Sequence, residues 1–222
     1  MSESVSISVV IPAYNAARFL REALESVFNQ ELPPSQVMVV DDGSTDGTGD
    51  IARSFGDAIQ FVRRENGGIG AARNTALPLC TGEMLAFLDA DDVWPSSRLA
   101  RLAQRLVANP ETDAVFGQVV EFGEGLEDSA PADGALASSM LIRRASFDRV
   151  GPFREDIRVG EYIDWYARAV DAGLKFEQIH DVVLRRRIHE TNTGRVQRDA
   201  RPDYVRVLRE ALQRRREAGR SG

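Results

Sequence analysis

Residues 37–48, VMVVDDGSTDGT, run from four continuous apolar positions into two carboxylates and a glycine-punctuated turn. Successive strand residues point to opposite faces, so an unbroken apolar run describes a strand buried on both sides, as in a parallel sheet covered by helices. Upstream, VSISVVI (5–11) is β-branched and stops at Pro12. Between the two runs, Phe19, Leu20, Ala23, Leu24, Val27 and Phe28 recur at helical spacing, with Asn15 as the expected N-cap. Strand, helix and strand in this order make a βαβ unit.

The alternation continues downstream with a helix over Thr48–Phe55, a strand over 59–63, a helix over about 70–79 and a strand over 84–89. It predicts an α/β fold, a mainly parallel sheet flanked by helices. Ligands of such sheets bind at the carboxyl ends of the strands. Each polar cluster of this half lies at such an end: PAYN (12–15), DDGSTDGT (41–48), RENGG (64–68) and DADD (89–92). The second half reads as a helix over 96–108, a strand over 114–120, an acidic aperiodic mobile loop over 121–135, a strand near 138–142, a helix over 161–172, a strand near 182–186 and a basic helix over 203–216.

With 222 residues and 43% hydrophobic composition, the chain is expected to form one domain. Its parts are a first half (5–110), a second half (111–195) and a basic C-terminal helix (202–218). No run approaches the roughly 18 apolar residues of a membrane span, and the N-terminus has no leader features, which predicts a soluble cytoplasmic protein. Peripheral membrane contact and an oligomer stay open, and no nucleic-acid partner is expected. Cys80, the single cysteine, reads as a small buried hydrophobe. The net charge of −6 is uneven: from Arg185 onward 12 Arg face 5 acidic residues, a balance of +7, leaving −13 for the first 184 residues. Such a tail suits phosphates, an anionic surface or the acidic body of its own chain.

The clusters differ in chemistry. Asp41 and Asp42 exceed what a turn needs and could accept hydrogen bonds from a base N–H or ribose hydroxyls. ENGGIGAARN (65–74) opens a helix with backbone N–H groups that could face an anion, and Arg73 and Asn74 lie one turn inside it. The D-x-D spacing of Asp89 and Asp91 suits a hard divalent cation bridging substrate phosphates. There is no G-x-G-x-x-G after the first strand, where Pro12 stands, so a dinucleotide fingerprint is excluded.

Together, VVIPAYNAARFLREALESV, VVDDGSTDGT, NGGIGAARN and FLDADD resemble glycosyltransferase family 2, the inverting enzymes of the GT-A fold, in order and spacing over roughly residues 5–108. A looser likeness continues to about residue 193. The resemblance implies a GT-A type, Rossmann-like sheet with a smaller acceptor-side region and a nucleotide-diphosphate sugar donor. It implies donor contacts from Pro12, Tyr14, Asn15, Asp41, Asp42, Asn66, Gly70, Arg73 and Asp89. It further implies a Mn²⁺ or Mg²⁺ ion on Asp91, Asp89 and His189, with Asp92 and Trp165 positioning the turn or the acceptor. LRRRIHETNTG (184–194) is similar to the family's basic segment ending in His, and Arg185 to Arg187 could offset the diphosphate charge.

One departure concerns the base. Where family members read GED.DLW.R, this chain reads GEYIDWYAR (160–168), with Tyr162 in place of the usual Asp. A phenol ionises near pH ~10 and is a poor base at neutral pH. Asp164 is the first replacement and Glu161 the second; the plainer readings are a helix-dipole role for Glu161 and a solvated pair with Arg168 for Asp164. A catalytically weak donor-binding or partner-binding relative is therefore the alternative. A nucleotidyltransferase is disfavoured because the first strand lacks a basic, glycine-rich phosphate loop. The acceptor, whether saccharide, lipid head group, metabolite or peptide, is not encoded in any motif. Val205, Leu208 and Leu212 form an apolar line on the last helix, which is expected to dock on the domain in preference to a second subunit or a membrane.

Overall fold

The computed structural model describes residues 5–190, 192 and 201–218. Strands β1 (Ile7–Ala13), β2 (Gln36–Asp41), β3 (Gln60–Arg63) and β4 (Met84–Phe87) lie parallel in the order β3-β2-β1-β4. Val10 stands opposite Met38 on one side and Phe87 on the other, so all four strands end at one edge. Helices α1 (Leu20–Phe28), α2 (Thr48–Arg53) and α3 (Ile69–Ala76) make the crossovers, and α4 (Arg98–Ala108) follows β4.

The two-sided burial read from the apolar runs has a direct structural counterpart. Ile7, Val9 and Ile11 pack with Leu20 and Leu24 of α1 and with Leu99 and Leu102 of α4. Val10, Met38, Val40, Leu85 and Phe87 face the opposite way, onto Ala72 and Ala76 of α3. Each such large aliphatic side chain contributes about 1.5–3 kcal/mol by leaving water. Polar residues can therefore collect only where the strands stop.

The second half extends the same sheet. Strand β5 (Ala114–Phe122) pairs in parallel with β8 (Phe176–Arg187) along its length, while its other edge takes β7 (Met140–Arg143) and then β6 (Ala132–Asp133), both antiparallel. β7 also pairs antiparallel with β4, joining the halves. Helices α5 (Arg144–Val150), α6 (Glu161–Asp171) and α7 (Arg201–Ala218) complete the chain.

Several boundaries differ from expectation for physical reasons. Asn15 does not cap α1, which starts at Leu20 without a side-chain cap. Its backbone is left-handed (φ 48°), and its Oδ1 accepts the Thr45 N–H at 2.8 Å, so the side chain serves the neighbouring turn. The segment over 121–135 is partly ordered by β6 and by a hydrogen bond from Ser129 N–H to the Glu121 carbonyl. β8 runs 12 residues because its polar start, Glu177 and Gln178, is held by pairing with β5. α5 was not foreseen. The expected boundary at 195 lies outside the described residues.

Candidate active site

The turn after β2 is fastened before any ligand is considered. Asp41 is fully buried, and its Oδ1 accepts the Ser44 N–H at 2.9 Å. Its Oδ2 is buried without a hydrogen-bond partner among the described residues, with the Arg63 guanidinium 3.7 Å away. That orphaned oxygen is an acceptor awaiting a donor N–H or O–H. Asp42 has a different job. Its carboxylate accepts the Gly67 N–H at 3.0 Å and the Gly68 N–H at 2.7 Å, at the mouth of α3. Those N–H groups, read from the sequence as an anion cradle, already hold the chain's own anion.

The donor-side residues divide on the same basis. Asn15 N–H donates to Ser44 Oγ at 2.9 Å, tying the β1 turn to the β2 turn, while Tyr14 is half exposed above them. Pro12 is buried within β1, and Asn66 Nδ2 donates to the Asp42 carbonyl at 3.0 Å. Gly70 does not face the open edge: a Cβ there would stand 2.4 Å from the Arg154 carbonyl oxygen, so its bareness admits the 152–160 segment. Asn74 pins that segment too, donating from Nδ2 to the Phe153 carbonyl at 2.8 Å and accepting the Phe153 N–H at 3.0 Å.

Arg73 is the hinge of the site. Buried to 2% exposure, it donates from Nη2 to Asp89 Oδ1 and from Nη1 to Glu161 Oε1, both at 2.8 Å. Burial alone would depress the guanidinium, but the charges of Asp89 and Glu161 outweigh it and hold Arg73 above its ordinary value. Its Nε has no partner among the described residues. A carboxylate from the end of β4 and one from the start of α6 are thereby held on the same cation.

Asp91 and Asp92 sit in the turn beyond Asp89. His189 Nε2 lies 2.9 Å from Asp91 Oδ2, and Asn192 Nδ2 is 3.4 Å from the same oxygen. Burial, then the charge of Asp89, push the Asp91 carboxyl above its ordinary value against the pull of His189. Asp92 is driven up further, by burial and by repulsion from Asp91 and Asp89, and its Oδ1 accepts the Arg187 N–H at 2.8 Å. Crowded carboxylates with incomplete neutralisation suit a cation. Among the described residues no three His, Cys, Asp or Glu side chains gather at metal-binding geometry. Asp91 and His189 thus form at most a partial donor set of the residue types that could hold a divalent ion.

The end of β8, whose Arg185 to Arg187 were expected to offset diphosphate charge, buttresses this turn. Arg187 Nε donates to the Asp91 carbonyl at 2.9 Å, Arg185 and Val93 exchange backbone hydrogen bonds, and the Arg187 guanidinium also binds Glu22. Phe19 stacks near His189, with ring centroids 4.7 Å apart, and Arg187 lies over both Phe19 and Phe122. No spacing rule links residue 19 or 122 to this turn; the folded sheet brings them there.

The two α6 carboxylates read from the sequence lie in different surroundings. Asp164 is 1% exposed, accepts Arg168 Nε at 2.8 Å, and has Arg154 and Arg214 at 3.8 and 3.6 Å. It is a buried counter-ion, and none of these arginines belongs to the strand-end cluster. A base must reach the proton it takes, and Asp164, the first candidate from the sequence, is placed with these arginines and not with the strand-end cluster. Glu161 does belong to the cluster through Arg73. Tyr162 stacks on Trp165 (centroids 6.1 Å), and among the described residues its hydroxyl meets Met140 Sδ, at 4.0 Å. Burial lifts its phenol well above the ordinary value. Trp165, also expected near the acceptor, is fully buried and donates from Nε1 to the Gly151 carbonyl at 3.0 Å. It positions the loop before α6 and touches no open surface.

Comparison with known proteins gives the family and the fold. The model of glycosyl transferase family 2 matches residues 8–163. Glycosyltransferase AglE of Haloferax volcanii is 32% identical over 200 residues, covering 80% of this chain and 65% of the relative. The chain spans about two thirds or less of the length of such curated relatives. Among solved structures, S. aureus TarS residues 1–349 in complex with UDP-GlcNAc superposes with TM-score 0.78 at 22% identity, over 93% of this chain and 65% of that one. Mannosyltransferase PcManGT from Pyrobaculum calidifontis, in complex with GDP-Man and Mn²⁺, superposes with TM-score 0.66 at 22% identity, over 86% of this chain and 59% of that one. At such identities the likeness is one of fold.

Proposed function

The chain belongs to glycosyl transferase family 2, and from that premise we propose that it moves a sugar from a nucleotide-diphosphate donor to an acceptor hydroxyl with inversion, using Glu161 as base. The observation that carries this reading is the chain Asp89–Arg73–Glu161, which holds a carboxylate beside the strand ends where the family's usual Asp is replaced by the buried Tyr162.

The orphaned Asp41 oxygen, with Tyr14 above it, suits the base, and Asp89 the ribose. A divalent cation held by Asp91 and His189 would offset the negative charge of the departing diphosphate. Arg73 orients Glu161 toward the same space and brings a permanent positive charge to it. In the transfer, the acceptor oxygen attacks the anomeric carbon as its proton passes to the Glu161 carboxylate. The bond from that carbon to the diphosphate oxygen breaks, and its electrons leave on the nucleoside diphosphate. Asp92, kept by the Arg187 N–H, holds the turn in place.

The test combines a nucleotide-sugar panel with Mn²⁺ or Mg²⁺ and a cell extract, with products read by mass spectrometry. Sugar transfer or slow donor hydrolysis is expected, together with metal-dependent nucleotide binding by calorimetry that Asp91→Ala removes. The position of Tyr162 favours one other reading, a donor-binding relative of weak activity. Tight nucleotide binding without any turnover would establish that reading instead, and Asp91→Ala with unchanged affinity would refute the proposed cation site.

A further inference from the structure

Helix α7 is held on the body by one face. Val207 and Ala211 are buried, and the Asp203 carboxylate accepts the Arg158 N–H at 3.0 Å. Glu210 pairs with Arg154, Arg206 with Asp156, Arg214 approaches Asp164 at 3.6 Å, and Arg215 binds Asp171 at 2.8 Å. The opposite face carries Val205, Leu208 and Leu212, exposed by 46%, 56% and 55%. Their spacing of three and four residues puts them on one stripe, and Arg209 and Arg216, each four residues beyond Val205 and Leu212, border it. Neither arginine makes an ion pair among the described residues. Pro202, Val205, Arg206, Arg209 and Glu210 also line a shallow groove of about 730 Å³.

We propose that this outward face of α7 docks on an anionic phospholipid surface. The charge pattern selects that occupant. A second copy meeting the stripe face to face would bring Arg209 and Arg216 against their own kind, while Asp203 and Glu210 are already engaged with the body. A neutral hydrophobic partner would leave both arginines unanswered. Lipid phosphates supply the negative charge, and the interfacial acyl region takes Leu208 and Leu212, as in a helix lying in the membrane plane. The chain as a whole carries −6, so an anionic surface repels it except where this positive, apolar face is presented. Binding is therefore oriented, with α6 and the Asp164 ion cluster directly behind the contact. The proposal is independent of the sugar-transfer reading.

Sedimentation of the full chain with vesicles tests it, comparing phosphatidylcholine alone with phosphatidylcholine containing phosphatidylglycerol. The chain is expected to partition onto the anionic vesicles only and to be released by high salt. Arg209→Gln with Arg216→Gln should lower the partition coefficient about thirtyfold. Leu208→Ser with Leu212→Ser should lower it about tenfold or more. All four positions border or form the exposed face, so unchanged amide protection at Val207 and Ala211 verifies that the variants keep α7 docked. Glu161→Gln should bind vesicles as wild type does, which separates this result from any loss of transfer. Absence of binding, equal binding to neutral vesicles, or wild-type partition in both double variants would overturn the proposal. So would a wild-type dimer in sedimentation velocity that Leu208→Ser with Leu212→Ser dissolves, since that assigns the face to a second copy.

Discussion

Glu161 and Asp164 stand nearly one turn apart on α6, and their surroundings give them different physics. Glu161 meets one guanidinium, Arg73, at the edge where the strands end; Asp164 is enclosed by Arg154, Arg168 and Arg214 with 1% exposure. Removing a buried carboxylate strands the arginines whose charge it offsets. Asp164→Asn is expected to lower stability by about 3 kcal/mol, a fall of roughly 6–12 °C in a thermal melt for a chain of this size. Transfer per folded molecule should persist below that melt. A melt unchanged within about 1 °C would show that Asp164 is not the counter-ion described. Tyr162 belongs to the same scale: a phenol among Trp165, Tyr166 and Met140 is a core residue.

At the level of elements, α7 and the 152–160 segment form one ionic unit. Hydrogen bonding to Arg154, foremost, holds the carboxyls of Asp156 and Glu210 below their ordinary values. A carboxylate depressed by folding contributes stability that is complete above its unfolded value, ~3.9 for Asp and ~4.3 for Glu, and lost as pH falls through the lower folded value. α7 should thus keep its amide protection through mild acid to about pH 4 and lose it below that. Loss of protection near neutral pH, or full retention after both carboxyls are protonated, would contradict this. The same elements mark how far the sequence could be read. The four parallel strands and the clusters closing them were legible, because two-sided burial leaves continuous apolar runs and strand ends leave Asp, Asn and Gly. So was β7, read as a strand near 138–142, but the short β6 and the full span of β8 were not, since pairing with β5 decides strands whose own residues are polar or exposed, and α5 was missed as well. Which α6 carboxylate meets the site was hidden for a related reason: it depends on arginines at 73, 154 and 214, whose convergence no local spacing encodes.

For the whole molecule, charge is sorted along the chain and then partly cancelled in space. The arginines of β8 meet Asp128, Glu121 and Glu22, and those of α7 meet Asp156, Asp164 and Asp171, so the basic tail serves mainly to clamp an acidic body. β8 braces the Asp91 turn and α7 braces the segment before Glu161. Both clamps converge on the strand-end edge, where Asp41, Asp89, Asp91, Arg73 and Glu161 are gathered. No helix among the described residues is long and apolar enough to cross a membrane. The central claim is that this edge transfers sugar with Glu161 as base. The most direct measurement is turnover of the best nucleotide-sugar donor by Glu161→Gln, with donor affinity followed in parallel. The account predicts donor binding close to wild type and turnover lower by at least about a hundredfold; wild-type turnover in Glu161→Gln would contradict it.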